Sequence, residues 1–358
     1  MLSAWSLSPR DLCLLGYAGD TSHLYSRIFR PARWENNAPV LGRARTLLES
    51  AVDFTLPTIA HRSASTDGSV KVLVEFADGA RVEAMHMPRA VKNPRVTLCI
   101  SSQVGCAMGC TFCATANMGL VRNLSAHEIV GQVLALMSEI GPLRPQDLSL
   151  VFMGMGEPLH NLDAVTRAIA VMCEPAGLGM SSRRMTVSTS GLVPAIDSLS
   201  TFRPRPLLAL SLNATTDQAR ERTMPVARKW NLNALRSALM RWTKDSRDKV
   251  TIEYVLLAGE NDTSEDADRL AVWVSGFRHN LNVIPFNSFP GTAFGAPSDE
   301  ILRAFAQRLY ERGCRVTVRH TRGRDVSGAC GMLATDTVRL RSRAHDSGAA
   351  IRLSPLIG

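Results

Sequence analysis

From residue 95 onward the sequence alternates between two hydrophobic periods, and this alternation restricts the possible folds more than any other feature. Short apolar runs at 96–101, 148–153, 185–189, 207–212, 250–257, 282–286 and 315–320 read as strands. Segments with helical spacing fall near 126–140, 162–173, 192–199, 231–244, 264–279 and 298–312. The first is the most sharply bounded: Ser125 stands at the N-cap, Glu128 three residues on completes a capping box, and Gly141 sits just past the end. Repeated strand–helix units imply a parallel sheet with helices packed outside it, because parallel strands need a long crossover connection. The predicted class is α/β, with six units and a seventh strand arranged as an open sheet or a partial barrel. In either arrangement, reactive groups belong at the C-terminal ends of the strands.

The first 94 residues follow another pattern. Short candidate helices near 8–16, 20–30 and 39–51 are interrupted by prolines and polar residues, which suggests a small helical accessory domain over 1–65. A β-hairpin extension is expected over 66–94. Within it, "VKVLVEFADGARVEAMHM" (70–87) places two alternating runs around Asp78-Gly79, the pattern of a type I′ turn, with Val70, Val72, Val74 and Phe76 on one face. The core domain is expected to span 95–335. A basic C-terminal tail, 336–358, carries Arg339, Arg341, Arg343 and Arg352.

No stretch approaches the roughly 20 apolar residues needed to span a bilayer. "MLSAWSLSPRDLCLLGYAGD" lacks a basic start followed by an unbroken apolar run, so neither a signal peptide nor a membrane partner is expected, and the expected location is cytoplasmic. Eight cysteines in 358 residues are too sparse for a secreted disulfide scaffold. The formal net charge of +9 favours a polyanionic partner such as nucleic acid. The run "RGCRVTVRHTRGR" (312–324) holds five arginines, one histidine and no acid. It is a candidate RNA surface, with a structural turn at "TRGRD" as the alternative.

Four of the eight cysteines fall between 99 and 113. Cys106, Cys110 and Cys113 form C-x3-C-x2-C directly after the strand at 96–101, and Phe112 precedes the last of them. Zinc ordinarily takes four ligands, and no fourth follows locally. Three thiolates suit a 4Fe-4S cluster that leaves one iron open. A zinc-stapled RNA-binding protein without catalytic activity is the alternative reading.

This arrangement resembles the radical S-adenosylmethionine superfamily. Further stretches narrow the resemblance: "CISSQVGCAMGCTFCATANMGLVRNL", "VFMGMGEPLHNLDAV", "RRMTVSTSGLVPAI", "LALSLNATT", "NVIPFNSFPGT" and "TVRHTRGRDVSGACG", in this order, are similar to the RlmN/Cfr family of RNA methyltransferases. The resemblance runs from about 70 to 335, while the first 65 residues look shorter and more divergent. It implies a partial (β/α)6 barrel. It implies a 4Fe-4S cluster held by Cys106, Cys110 and Cys113, and S-adenosyl-L-methionine bound by Gly156, Glu157, Ser188, Ser211, Leu212, Asn213 and Asn287.

The resemblance also assigns roles to residues outside the cluster motif. Cys330 becomes the methyl carrier, Cys99 the thiol that releases the product through a transient disulfide with Cys330, and Glu83 the proton acceptor, with His86 as the rival base. A ring carbon of adenine lying between nitrogens is not nucleophilic, so its methylation requires a carbon radical, a carrier and a means of release. The expected substrate is an adenosine of 23S rRNA, methylated at carbon 2, with transfer RNA as a second substrate. Methylation at carbon 8, linked to antibiotic resistance, is the rival within the family. An electron donor such as flavodoxin or ferredoxin and a monomeric state are also expected.

Overall fold

Ten strands form one sheet in a computed structural model that describes residues 1–30, 39, 41–89, 95–141, 144–244, 247–319, 322–328 and 330–333. We number them β1 (Thr58–Ala64), β2 (Val70–Glu75), β3 (Arg81–Arg89), β4 (Arg95–Cys99), β5 (Leu148–Phe152), β6 (Met185–Thr189), β7 (Leu207–Ser211), β8 (Val250–Leu256), β9 (His279–Pro285) and β10 (Val316–Val318). Each strand pairs with its predecessor in the chain. The strands β4 to β10 are parallel, and β1 to β4 are antiparallel. β4 is therefore the seam. It meets β3 antiparallel at Met85↔Cys99 and β5 in parallel at Cys99↔Val151.

The crossover helices are α1 (Ala126–Ile140), α2 (Leu162–Cys173), α3 (Val193–Thr201), α4 (Leu232–Lys244), α5 (Ser264–Val274) and α6 (Asp299–Glu311). The capping box of α1 forms as expected: the Glu128 amide donates to Ser125 Oγ, and the Ser125 amide donates to Glu128 Oε2 at 2.8 Å. Residues Ile129 to Met137 of α1 are all buried. A helix buried all round needs a second cover beyond the sheet. The N-terminal segment lies on it, with Pro57 so close to Gly131 that an added Cβ would meet the proline ring at 2.8 Å. Trp5 anchors that segment, buried and donating from its indole to the Thr55 carbonyl at 2.8 Å.

Several expectations change. The hairpin turn is not type I′, which needs positive φ at both central residues. Only Gly79 has positive φ, at 77°; its amide donates to the Phe76 carbonyl, and Asp78 Oδ1 accepts from the Ala80 amide. This is a three-residue loop closed by a left-handed glycine, with the Phe76 amide donating to the Ala80 carbonyl across it. The segment 58–64 grouped with the N-terminal helices is β1, an edge strand whose polar "TIAHRSA" hides the apolar alternation that identifies inner strands. α5 ends at Val274 rather than 279, because Gly276 at φ 87° breaks the helix and His279 already pairs with Val250. The tail 336–358 lies outside the described residues.

Candidate active site

The cysteine loop is pinched at its base. Gln103–Gly105 pairs antiparallel with Leu120–Asn123. At Gly105, φ 77°, an added Cβ would fall 1.8 Å from the Gly119 carbonyl oxygen, so no other residue fits this closure. Cys106, Cys110 and Cys113 line one cavity at the C-terminal ends of the strands, together with Met108 and Phe112. Burial, with Glu157 and Cys113 adding to it, pushes the Cys106 thiol up to about 12, and burial with the other two cysteines pushes Cys110 well above its usual value. A thiol raised in this way stays protonated near neutral pH unless a cation joins it. Among the described residues no three His, Cys, Asp or Glu side chains converge around one metal ion. A cubane cluster makes no such demand, since its cysteines bind different irons.

The opposite wall of the cavity is "MGMGEP". At Gly154 an added Cβ would meet the Ile100 carbonyl at 2.6 Å, and at Gly156, φ 101°, it would meet Gln103 at 2.6 Å. This cradle keeps bare backbone along the cavity. Glu157 is 3% exposed, and its carboxylate accepts from the Ser190 amide at 2.7 Å, Ser190 Oγ at 2.8 Å and the Leu159 amide at 3.1 Å. Burial raises it above the ordinary carboxylate range despite those bonds. An arriving ammonium group would relieve that penalty. Ser188, Ser211 and Asn213 line the same cavity. Asn213 adopts φ 56°, with Oδ1 accepting from the Val255 amide at 2.8 Å. The donor and acceptor set, the bare backbone and the three thiols fit an amino-acid-bearing nucleotide beside an iron–sulfur cluster.

Two expected contacts fall elsewhere. The Leu212 side chain is fully buried and does not line the cavity; its carbonyl accepts from Arg220 Nε at 3.0 Å. Asn287 lines a second cavity, next to the first, with Met85, Met87, Cys99, Arg322 and Gly328. Cys330, Arg319, Met153, Ile284 and Leu333 border both cavities. Cys99 and Cys330, 231 positions apart in the chain, thus share one chamber as free thiols. Burial first, then the neighbouring Cys330, pushes Cys99 up to about 12. Cys330 reaches solvent across the chamber, yet the protein packed around it raises its thiol, with Arg319 pulling the other way.

Glu83 is not a solvated hairpin charge. It is 7% exposed and ion-paired with Lys71 at 2.7 Å, and its carbonyl accepts from Ser101 Oγ at 2.6 Å. Strand alternation puts it on the face of Met85 and Met87, which border the second cavity, although Glu83 itself does not. His86 falls on the opposite face. The basic run is largely committed within the molecule: Arg312 pairs with Asp268 at 2.7 Å, Arg319 with Glu253 at 3.4 Å and Arg322 with Asp67 at 3.1 Å. The described part of "TRGRD", 322–325, is therefore in good part a structural turn, and Arg315 and Arg324 are the exposed remainder; His320 and Thr321 lie outside the described residues. Cys13, Cys173 and Cys314 stand apart from both cavities. Glu253, Arg319, Thr189 and Ser190 border the first cavity without having been singled out for it. A lone carboxylate inside the apolar run "TIEYVLL" was the available signal for Glu253.

Residues 100–271 match the Radical SAM superfamily model. The chain is 41% identical over 313 residues to the dual-specificity RNA methyltransferase RlmN of Dinoroseobacter shibae, covering 84% of this chain and 78% of that one. The chain belongs to the RlmN family. The RlmN of Geobacter sulfurreducens is 47% identical over 269 residues, covering 75% and 72%. A radical SAM methyltransferase from Sphaerobacter thermophilus superposes with a TM-score of 0.85 at 36% identity, covering 93% of this chain and 99% of that structure. Membership of the RlmN family makes the chain a radical SAM RNA methyltransferase. No helix among the described residues is long and apolar enough to cross a membrane.

Proposed function

We propose that this enzyme methylates carbon 2 of an adenosine in 23S rRNA, and in transfer RNA as a second substrate, through a methylated Cys330. The observation that carries the reading is the chamber that Cys330 shares with Cys99, opening beside the cavity of the three clustered cysteines. Cys106, Cys110 and Cys113 hold the cluster. Gly156, Glu157, Ser188, Ser211 and Asn213 bind S-adenosyl-L-methionine, with Leu212 contributing backbone and Asn287 reaching in from the second cavity. The cluster and its cofactor supply the carbon-centred radical when bound.

The chain's own residues do the rest. Cys330 carries the one-carbon unit to the base and becomes joined to RNA through a thioether. Glu83, whose strand face borders the chamber, takes the proton from the attacked ring carbon; the unpaired electron that the addition leaves on the ring must depart with it, and the cluster, when bound, would supply the acceptor. The Cys99 thiolate then attacks Cys330 Sγ. An S–S bond forms, the S–C bond breaks with its electron pair going to the methylene carbon, and that carbon takes a proton to become the methyl group. Two external thiols, or one dithiol, restore the two cysteines through a mixed disulfide and leave oxidised as a disulfide themselves, and an electron donor of the flavodoxin or ferredoxin type serves the cluster. The nucleotide must leave its stack to reach this depth, and the exposed Arg324, in the turn that precedes Cys330, holds a flanking phosphate. The enzyme acts as a monomer in the cytoplasm.

Mass spectrometry of adenosine from ribosomal and transfer RNA incubated with the enzyme tests this reading. The expected product is 2-methyladenosine from both RNAs. A product methylated at carbon 8 would replace it with the alternative specificity, and unmodified adenosine with a competent cluster would refute both.

A further inference from the structure

We propose that Arg319, braced by Glu253 and Asn282, is the positioning residue that governs thiol exchange between Cys99 and Cys330. The inference rests on the carrier and release roles given to those cysteines above.

Arg319 follows β10, where its amide donates to the Val283 carbonyl of β9 at 2.9 Å. Its Nη1 lies 3.4 Å from Glu253 Oε1, which also accepts from Asn282 Nδ2 at 3.0 Å. Glu253 is 5% exposed, and its Oε2 is buried without a hydrogen-bond partner. A buried carboxylate with one free oxygen is costly to maintain, and it persists here only because a cation stands beside it. Arg319 and Cys330 border both cavities, whereas Glu253 borders only the first and Cys99 only the second. The guanidinium thus stands where the chambers meet, with a carboxylate on the cofactor side and the exchanging thiols on the other.

The charged and titratable groups facing the two sulfurs are Arg319, Arg322, Glu253, Cys113 and the sulfurs themselves. Burial raises both thiols; Arg319 lowers both, and Glu253 raises Cys330. Cys99 must be a thiolate to attack. In this buried site the guanidinium is the cation that favours it, and Glu253 tempers that effect. Once the disulfide forms, the negative charge has left the sulfurs and Arg319 returns to Glu253 alone.

The test uses the anaerobically purified full chain with its cluster in place, and glutathione disulfide as oxidant. One thiolate attacks glutathione disulfide and releases a glutathione thiolate; the second closes the Cys99–Cys330 bond and releases another, so two thiols are oxidised and one glutathione disulfide reduced. The rate of this closure is followed by peptide mass spectrometry from pH 6 to pH 10. Arg319→Met should close about tenfold more slowly than wild type at pH 7, the equivalent of one pKa unit, with the gap vanishing toward pH 10. Arg319→Lys should stay within about threefold, because it keeps the charge. Glu253→Gln should close at least as fast as wild type. That opposite sign would not follow from a structural lesion, which slows both. Arg319→Met closing at the wild-type rate at pH 7, or Glu253→Gln slowed as much as Arg319→Met, would overturn the role of Arg319. A wild-type protein that never forms the Cys99–Cys330 bond would instead overturn the underlying pairing of the cysteines.

Discussion

Cys99 lies directly opposite Met85 across the antiparallel β3–β4 pair. The same methionine is the seat of the turn that precedes Cys330: an added Cβ at Gly323 or Gly328 would come within 2.6 Å of its Cε or Sδ. One side chain on the extension therefore registers both the strand bearing Cys99 and the loop bearing Cys330. The extension is part of the site rather than an appendage to it.

The turn is also tied from its edge. Asp67 accepts from Arg322 Nε at 3.1 Å and from the Gly323 amide at 3.0 Å, and Asp325 accepts from Ser65 Oγ and the Thr66 amide. Burial opposes the Asp67 charge, but hydrogen bonds from Ser69, Gly323 and Ser65 outweigh it and hold its carboxyl well below the usual range. A depressed folded pKa contributes stability that is present above the unfolded value of about 3.9 and is lost as pH falls through the folded one. Limited proteolysis at 322–328 should therefore accelerate below about pH 4 in wild type. Asp67→Asn should show that faster cleavage already at pH 7, with its iron content unchanged.

Gly156→Ala should fail to bind cofactor. The substitution needs a Cβ 2.6 Å from the Gln103 side chain and 2.8 Å from its amide nitrogen, at φ 101°. Left-handed strain and overpacking together cost about 2–4 kcal/mol. The expected result is a melting midpoint several degrees lower and no S-adenosyl-L-methionine retained in equilibrium dialysis. Retention at the wild-type level would show that the cradle is not where the cofactor lies.

Cys106→Ala, Cys110→Ala and Cys113→Ala should each lose iron, sulfide and the brown absorbance near about 400 nm expected of such a cluster. Cys99→Ala and Cys330→Ala should keep all three. Iron lost equally from all five variants would dissolve the division between ligands and exchanging thiols.

Glu83→Gln should slow RNA methylation by about 10²-fold or more, the size of a general-base contribution, with loading of methyl onto Cys330 unchanged. His86→Gln should have little effect, since His86 faces away from the chamber side of β3. The reverse ranking would transfer the base role to His86.

The sequence revealed the parallel half of the sheet well, because buried strands such as "MTVST" (185–189) and helices such as 162–173 carry strong periodic patterns and clear ends. It was less informative at the edges. β1 is polar, and the ribbon of Gln103–Gly105 with Leu120–Asn123 is too short to show alternation. For the site, spacing alone marked Cys106, Cys110 and Cys113 as a group. The proximity of Cys99 to Cys330 came only from resemblance, since nothing in local sequence links positions 231 apart. The partners of Arg312, Arg319 and Arg322 were hidden for the same reason: Asp268, Glu253 and Asp67 lie on other elements. A run of arginines looks alike whether it faces solvent or is paired inward.

The release step gives the most direct test of the whole account. Cys99→Ala, incubated with ribosomal RNA, S-adenosyl-L-methionine and a reductant, should accumulate a covalent protein–RNA species on a denaturing gel, with the mass link mapped to Cys330. Release of free methylated RNA at the wild-type rate by Cys99→Ala, with no covalent species at any time point, would contradict the account.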